Sequence, residues 1–416
     1  MPDSFDRAAA IGSARPASIG LVLATVALDA LGFGIVVPIV PNLVMQLEHV
    51  SAARTSLWMG GLLAAFSIMQ FLCAPLLGGL SDRFGRRPVL LTSLATMVLN
   101  YLLLAWAPNV IWLFVGRLLA GATSASYSTA SAYIADVTRP EDRASRFGLV
   151  GAMFGLGFVI GPALGGFLGS FWLRLPFLFA AGLAALNVVF AAVLLPESLA
   201  SSLRRPLRWN ESNPVGSIRV LGLDASYRRL AVAWCANWFA LGVLQSVFVL
   251  ANGLRLGFGE LQNGLALTAL GVGSALVQGL VVRRLVPALG ERRAALLGFS
   301  LTAGAYLAFA LAGSLPFLIA GLALQALGAI SGPAVQSLLS ARASSTEQGQ
   351  LQGALASVQG LTAIVAPLIG SFVFSLFANP GQPYFFPGAA FLLGTASCSL
   401  ALLAIRSLNP KPPVAA

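Results

Sequence analysis

The sequence predicts an all-α polytopic membrane protein whose twelve transmembrane helices form two pseudo-symmetric six-helix bundles. Its 416 residues are 57% hydrophobic and only 9% charged, with a mean hydropathy of +0.85. A soluble domain carries roughly 25% charged residues, so this chain cannot cover itself with a hydrated surface. Twelve apolar stretches reach the length of about 20 residues that a helix needs to cross a bilayer. Glycines and prolines recur at one constant separation, which indicates two related halves.

The twelve predicted spans follow one another through short polar links. In chain order they are 19–42, 57–80, 88–107, 110–136, 147–170, 173–195, 228–252, 262–283, 294–313, 315–340, 351–377 and 385–405. No small-residue cleavage pattern follows the first span, so we interpret span 1 as a retained helix rather than a signal peptide.

Basic residues set the predicted orientation. If both termini share one side, that side holds 21 Lys and Arg residues, and the other side holds only Arg54, Arg174 and Arg255. Short loops rich in Lys and Arg face the cytoplasm, so both termini are expected there. The net charge of +11 is spread over these loops rather than forming one basic face, which argues against nucleic acid as a partner.

The longest link divides the chain. We predict an N-terminal six-helix bundle at 1–196, a cytoplasmic linker at 197–227 and a C-terminal six-helix bundle at 228–416. A separation of 205 residues relates corresponding positions of the halves: Gly85 and Gly290, Pro162 and Pro367, Gly165 and Gly370. A duplicated bundle of this kind predicts a cavity between the halves that opens to either side in turn, which is alternating access.

Asp29 and Arg117 are the two charged residues deep inside the predicted spans. A charge at the bilayer centre costs at least about 2.5–3.5 kcal/mol on insertion scales, so both should face a cavity or each other. The protonation of Asp29 would then depend on hydration and occupancy of that cavity. We therefore predict Asp29 and Arg117 as the proton-coupling residues, with a permanent structural ion pair as the alternative.

Uncharged polar side chains inside the spans extend the predicted substrate cavity, although each could instead bond a neighbouring helix. The predicted cavity residues are Asp29, Gln70, Asn100, Arg117, Asn237, Trp238, Gln245, Ser274 and Gln325. Trp234 and Trp238 lie one turn apart, where they would form an aromatic wall on span 7 or pack against lipid.

Several motifs carry a resemblance to a known family. The link between spans 2 and 3 reads Gly78-Gly79-Leu80-Ser81-Asp82-Arg83-Phe84-Gly85-Arg86-Arg87; span 4 has Leu113-x-x-x-Arg117, and span 5 has Gly157-x-x-x-Gly161-Pro162-x-x-Gly165-Gly166. With these motifs the chain resembles the major facilitator superfamily. The segments LDALGFG, AYIADVT, LPES, GERRA and EQGQLQG make nearly its whole length similar to the tetracycline/proton antiporters.

The resemblance implies the major facilitator fold and a conformational latch formed by Asp82, Arg86 and Asp136. In this family Asp82 would face the start of span 11, where a helix N-terminus stabilises a carboxylate, and Arg86 would pair with Asp136. The alternative is that these residues only anchor topology. Three further residues interrupt spans 5 and 11 and are predicted helix pivots, or sites of close packing: Gly161, Pro162 and Pro367.

The chain departs from this family at three positions. By the resemblance, titratable groups of spans 3, 8 and 9 fall at Asn100, Ser274 and Thr302, which are uncharged here. Acidic partners for a magnesium-chelated drug are therefore missing at these positions. Asp29 would have to carry proton coupling alone.

These features together predict a secondary active transporter of the bacterial inner membrane that exports amphipathic drugs, tetracycline-like or other hydrophobic compounds, by proton antiport. The alternatives are a uniporter or uptake permease for a neutral or anionic metabolite, a lipid flippase, and a receptor. The expected partners are a small-molecule substrate, protons and the lipid bilayer, and a monomer is the family expectation. No enzyme, cofactor or metal site is predicted, because the chain has neither a Walker A lysine nor an HExxH motif.

Overall fold

The structure is a computed structural model that describes residues 16–124, 126–139, 142–204, 221, 224–342 and 348–408. Its α-helices in these ranges are α1 Pro16–Val36, α2 Val40–Glu48, α3 Ala52–Phe84, α4 Arg86–Trp106, α5 Val110–Ala122, α6 Ser126–Val137, α7 Arg143–Phe171, α8 Leu175–Leu194, α9 Ala225–Leu256, α10 Glu260–Leu276, α11 Val282–Leu289, α12 Glu291–Leu311, α13 Leu315–Gly328, α14 Ser331–Ser340, α15 Gln348–Phe377 and α16 Ala389–Arg406. Twelve stretches of these ranges are long and apolar enough to cross a membrane. The predicted all-α, twelve-span fold class is confirmed.

Part of the prediction falls outside the described residues. The polar segment before residue 16, most of the central linker (205–220 and 222–223) and Lys411 are among the residues that the structure does not describe. The domain boundaries predicted at 196 and 228 stay a prediction.

Four predicted spans are not single α-helices. Span 1 is interrupted between Val36 and Val40, span 8 contains a π-helical turn at Val277–Val281, and spans 4 and 10 each consist of two helices. Span 4 is interrupted between Ala122 and Ser126, and span 10 between Gly328 and Ser331. Ser126 and Ser331 are 205 residues apart, so the interruption recurs at equivalent positions of the two halves. At the first interruption the Thr123 hydroxyl bonds back to a carbonyl of α5, an arrangement in which side chains compete with the helical ladder. Hydropathy predicted one continuous stretch in each case because both interruptions are apolar or weakly polar.

Contacts divide the chain into two compact units, which exchange the ends of two helices. Unit 1 comprises Met1–Val50, Ala65–Asn213 and Gly259–Thr268. Unit 2 comprises Ser51–Ala64, Pro214–Phe258 and Ala269–Ala416. The start of α3 thus belongs to unit 2 and the start of α10 to unit 1, an exchange that hydropathy could not predict.

The core of unit 1 forms where α1, α4, α6, α7 and α8 meet. Its fully buried members are Val22, Val26, Leu90, Leu94, Ala130, Tyr133, Ile134, Val150, Ala191 and Leu195. A buried polar contact lies in the same unit: the Thr25 hydroxyl donates to Asn187 Oδ1 at 3.0 Å, and Asn187 Nδ2 donates to the Thr25 carbonyl at 3.3 Å. Hydrogen bonds between helices of this kind hold membrane bundles together.

The glycines of the span 5 motif allow α7 to approach α1 closely. A Cβ added to Gly157 would lie 2.2 Å from the Ala27 carbonyl oxygen, and one added to Gly165 would lie 2.1 Å from the Ile35 carbonyl oxygen. Real Cβ atoms do not come so near to backbone, so these positions need glycine. Gly161 meets Gly34 in the same contact. The motif therefore packs helix against helix; its predicted role as a pivot stays a prediction.

Unit 2 has an aromatic core between α9, α12 and α16. Phe309 lies at its centre, with ring centroids 5.7 Å from Phe248, 6.1 Å from Tyr306 and 5.7 Å from Phe391. Glycine again permits close approach, because a Cβ at Gly394 would lie 2.1 Å from the Tyr306 ring. Aromatic pairs of this kind stabilise a core by more than the burial of their apolar area alone.

Two of the three arginines predicted on the non-cytoplasmic side cap helices. Arg174 donates to the carbonyls of Ala105 and Ala107 at 2.8 and 3.1 Å, at the end of α4. Arg255 donates to the carbonyls of Phe309 and Ala310 at 2.8 and 3.0 Å, at the end of α12. Cations stabilise the carbonyl end of a helix. Ala105 and Ala310 are 205 residues apart, so the two halves use the same device.

Candidate functional site

The interrupted helices place a serine beside the first helix of each half. Ser126 begins α6, and its side chain lies within interaction range of Asp29 of α1. Ser331 begins α14 and its hydroxyl lies 3.1 Å from Asn237 Oδ1 of α9. Helix N-termini favour negative charge, so the start of α6 is a suitable neighbour for the Asp29 carboxylate. Broken helices of this kind line the binding sites of many secondary transporters.

Asp29 lies in a group that we call the N-terminal polar cluster: Asp29, Asn100, Tyr101, Arg117 and Ser126. The Tyr101 side chain is within electrostatic range of both Asp29 and Arg117. Its hydroxyl occupies space that Gly32 leaves free, since a Cβ there would lie 2.7 Å from the oxygen. The structure therefore brings the two predicted charged residues into one cluster and adds Tyr101 and Ser126, which the sequence analysis missed.

Several polar atoms of the cluster are buried with no hydrogen-bond partner among the described residues. They are both amide atoms of Asn100, the hydroxyl of Tyr101 and Nε of Arg117. Asn100 is fully buried, and Arg117 is 8% exposed. Leaving a buried polar group unpaired costs roughly 1–3 kcal/mol. Such groups are retained where water or a ligand completes their bonds, so this cluster is a candidate binding site.

Asp29 and Arg117 do not form an ion pair in the part of the chain that the structure describes. The ion pairs within 4.0 Å there are those of Arg86 with Asp82 and with Asp136. The alternative interpretation of Asp29 and Arg117 as a permanent structural pair is therefore not supported by this geometry. Both charges are free to interact with a third group.

The predicted cavity residues of the C-terminal half form fewer contacts with one another. Asn237 bonds Ser331, whereas Trp238 Nε1 and Gln325 Oε1 are buried without a hydrogen-bond partner among the described residues. Trp234 is buried and donates to the Leu355 carbonyl at 3.1 Å, so it joins α9 to α15.

The remaining predicted cavity residues differ in their exposure. Gln70 and Gln245 are exposed, and Ser274 is half-buried. Thr302, which stands where the resemblance implies an acid, is buried against Gly328. The role of all these side chains in substrate binding stays a prediction.

The predicted latch residues form one connected network. Arg86 Nε lies 3.0 Å from Asp136 Oδ2, and Arg86 Nη1 lies 2.5 Å from Asp82 Oδ1. Ser198 adds a hydrogen bond of 3.1 Å from its hydroxyl to Asp136. The pairing of Arg86 with Asp136 that the resemblance implies is thus present. The predicted approach of Asp82 to the start of span 11 stays a prediction.

Glu197 holds this network to the start of α4, a role that the sequence analysis missed. Its carboxylate accepts hydrogen bonds from the backbone N–H groups of Arg86 and Arg87 at 2.8 and 3.2 Å. Gly85 precedes them with a φ of 108°, and a Cβ there would lie 2.3 Å from the Glu197 carboxylate. Only glycine satisfies both conditions. Glu197 follows Gly85 by more than a hundred residues, so no local pattern connects them.

Replacing Glu197 by alanine should destabilise the protein by about 1–2 kcal/mol, the usual value of a lost helix cap. Two N–H groups at the start of α4 would lose their acceptor. The measurement is the thermal denaturation midpoint of the purified protein in detergent. Glu197→Gln keeps a neutral acceptor, so its denaturation midpoint should fall less. Ser201 is exposed and follows Glu197 closely, and Ser201→Ala should leave the midpoint unchanged. A Glu197→Ala midpoint equal to that of the wild type would contradict this role.

The site contains no protein-based metal centre in the described ranges, where no three His, Cys, Asp or Glu residues are grouped closely enough to hold an ion. Its chemistry is that of one carboxylate, one guanidinium and several neutral hydrogen-bonding groups. It can bind a proton, an organic ion or a polar group of a small molecule.

Twelve apolar helices that carry a buried arginine and a half-buried aspartate define a multi-pass membrane transport protein. The chain belongs to the Major Facilitator Superfamily, whose family model matches residues 22–312 and 230–416. The predicted family is thereby confirmed. The chain is a transporter and a multi-pass inner-membrane protein.

Individual proteins similar to this chain include tetracycline resistance proteins and a human transporter of solved structure. The chain is 39% identical to the class C tetracycline resistance protein of Escherichia coli, over 93% of this chain and 96% of that one. It is 36% identical to the class D tetracycline resistance protein of Salmonella ordonez, over 97% and 99% of the two chains. Among solved structures, the human organic anion transporter MFSD10 (TETRAN) matches with a TM-score of 0.69 and 26% identity, over 94% of this chain and all of that one.

Proposed function

We propose that this protein exports amphipathic drugs from the cytoplasm by proton antiport through alternating access. The observation that carries the proposal is the N-terminal polar cluster, in which the Asp29 carboxylate lies beside buried groups that have no protein partner. The similarity to tetracycline resistance proteins supports drugs as the substrate class. The excess of Lys and Arg on one side supports a topology with both termini in the cytoplasm.

In this mechanism Asp29 alternates between a proton and the substrate. A proton neutralises the carboxyl group and a cationic substrate pairs with the carboxylate, so binding of one releases the other. Arg117, a member of the same cluster with no carboxylate within salt-bridge distance among the described residues, remains available to polar groups of the substrate. The network of Asp82, Arg86 and Asp136 acts as the conformational latch, and the protein works as a monomer.

A second candidate is uniport or uptake of an anionic metabolite. The buried Arg117 has no carboxylate within salt-bridge distance among the described residues, so it could bind an organic anion directly. The similarity to a human organic anion transporter favours the same alternative. In this case the substrate would move without proton exchange.

The test uses purified protein in liposomes that contain a pH-sensitive dye. A tetracycline, a cationic dye, a neutral amphipathic drug and a labelled organic anion are added in turn, and proton movement is recorded together with substrate uptake. Proton movement on addition of a drug, absent from protein-free liposomes, is the expected result. Uptake of any of these compounds without a proton signal would overturn antiport, and uptake of the anion alone would favour the second candidate.

A further inference from the structure

Span 8 carries a π-helical turn with a groove beside it. The turn, Val277–Val281, joins α10 to α11, whereas the corresponding helix of the other half, α3, is a single α-helix. A groove of about 260 Å³ at the end of the turn is lined by Leu280, Val281, Arg284 and Leu285. π-Helical turns are rare and are frequent at functional sites. The groove is therefore a candidate binding site outside the N-terminal polar cluster.

The groove has an apolar part and a basic part. Leu280 is 61% exposed, which suits contact with hydrocarbon. In α11 the side chains of Arg283 and Arg284 are exposed, whereas those of Leu285 and Val286 are half-buried. A short helix with one apolar and one basic face lies at the boundary between the hydrocarbon and the headgroups of a bilayer. The groove thus lies at that boundary.

The arginines at this end of span 8 have no acid to neutralise them in the part of the chain that the structure describes. Arg283, Arg284 and Arg293 are exposed, and none forms an ion pair with another described residue. Glu291 is the acid of the link between spans 8 and 9, and its carboxylate accepts a hydrogen bond from the Ser337 hydroxyl. The arginine side chains are therefore available to an anion from outside the protein.

The N-terminal half balances the charge of its equivalent link within the protein. There Asp82 and Asp136 both pair with Arg86. A separation of 205 residues places Pro287 and Ala341 at the positions of these two acids in the C-terminal half. Neither residue carries a charge, so the second half has basic residues at this link without the acids that neutralise them in the first.

We propose that this groove binds an anionic phospholipid of the cytoplasmic leaflet. The lipid phosphate pairs with Arg284 in the groove and with Arg283 beside it, and an acyl chain lies along Leu280. The planar guanidinium group of arginine matches phosphate oxygens through two parallel hydrogen bonds. Basic pockets on the cytoplasmic side of membrane helices bind lipid headgroups. The inference does not depend on which substrate the protein transports.

Two observations favour a lipid over a free phosphate. The distribution of Lys and Arg predicts that this end of span 8 faces the cytoplasm, and the cytoplasmic leaflet carries anionic lipids. Leu276, one turn before Leu280, is 55% exposed, so an apolar surface continues from the groove along the span. An acyl chain would cover this surface, whereas a free phosphate would leave it bare.

The experiment titrates the purified protein in detergent with phosphatidylglycerol and measures lipid binding by native mass spectrometry. Phosphatidylglycerol should bind more tightly than phosphatidylcholine with the same acyl chains. Arg284→Gln should weaken phosphatidylglycerol binding about fivefold, the usual contribution of one basic residue near an anionic lipid surface. Arg146→Gln is the matched control and should leave binding unchanged, because Arg146 is an exposed arginine in the first turn of α7, outside the groove.

Equal affinities of Arg284→Gln and Arg146→Gln for phosphatidylglycerol would overturn the proposal, since the arginines would then act only through the overall charge. Equal binding of the two lipids by the wild-type protein would overturn it as well. Glycerol phosphate, the soluble headgroup without acyl chains, should not displace the lipid at equal concentration. Displacement would show a site for free phosphate instead of a lipid site.

Discussion

Replacing Asp29 by asparagine is expected to abolish substrate-driven proton movement. Asparagine has nearly the same size and keeps a polar side chain that can accept hydrogen bonds, but it cannot bind and release a proton. Asp29 is the acidic residue deep in a predicted span, and the positions at which the family resemblance implies further titratable groups hold Asn100, Ser274 and Thr302. With no second group to replace it, the loss of coupling should be complete. The pH-sensitive dye in proteoliposomes reports it directly.

The control for this change is Asp142→Asn. Asp142 precedes α7, is exposed, and its side chain makes no capping hydrogen bond, so the same chemical change there should leave proton movement intact. Expression and the thermal denaturation midpoint show whether Asp29→Asn is folded. A folded Asp29→Asn protein that still exchanges protons for drug at the wild-type rate would remove Asp29 from the coupling mechanism.

Replacing Thr268 by valine is expected to destabilise the protein and to impair transport. The Thr268 hydroxyl stands beside Pro162, where it accepts a hydrogen bond from Ala163 N at 3.0 Å and donates one to the Val159 carbonyl at 2.9 Å. Proline disturbs the backbone hydrogen bonds of α7 at this point. In membrane helices, neighbouring hydroxyl groups take the place of hydrogen bonds lost in this way. Valine has the same shape without the hydroxyl. Two backbone groups would lose a partner, each at a cost of roughly 1–3 kcal/mol.

The measurement compares thermal denaturation and drug exchange in three variants. Thr268→Ser retains the hydroxyl and should behave nearly as the wild type. Thr96→Val removes an exposed hydroxyl that bonds only within its own helix, at the Thr92 carbonyl, and should change little. Equal stability of Thr268→Val and Thr268→Ser would show that the ladder of α7 does not depend on this hydroxyl.

The charged residues of the site could be predicted from the sequence because their cost in a membrane does not depend on the fold. Asp29 and Arg117 are costly in a bilayer however their helices pack, so both can be identified from the sequence alone. Tyr101 and Ser126 could not be predicted in the same way. Tyrosine and serine are common in spans, and the position of Ser126 matters only because span 4 is interrupted in front of it.

Among the latch residues, too, some could be predicted from the sequence and one could not. The resemblance identified Asp82, Arg86 and Asp136, and the structure places all three in contact. Glu197 was not predicted because its partners, Arg86 and Arg87, lie more than a hundred residues earlier in the sequence. A weak signal existed in the LPES segment, but nothing local to it indicates that its acid would cap a helix.

The sequence by itself determined the class of the protein, the number and approximate bounds of its spans, and the two charges that must avoid lipid. These follow from apolar length and charge, which are properties of short segments and need no knowledge of packing. Only the tertiary structure decided that Thr268 completes the backbone hydrogen bonds of α7, that Glu197 caps α4, and that aromatic rings of four helices contact one another in series. The physical reason is that these contacts join residues far apart in the chain. They depend on how each helix is rotated about its axis and where it is interrupted, which hydropathy does not report.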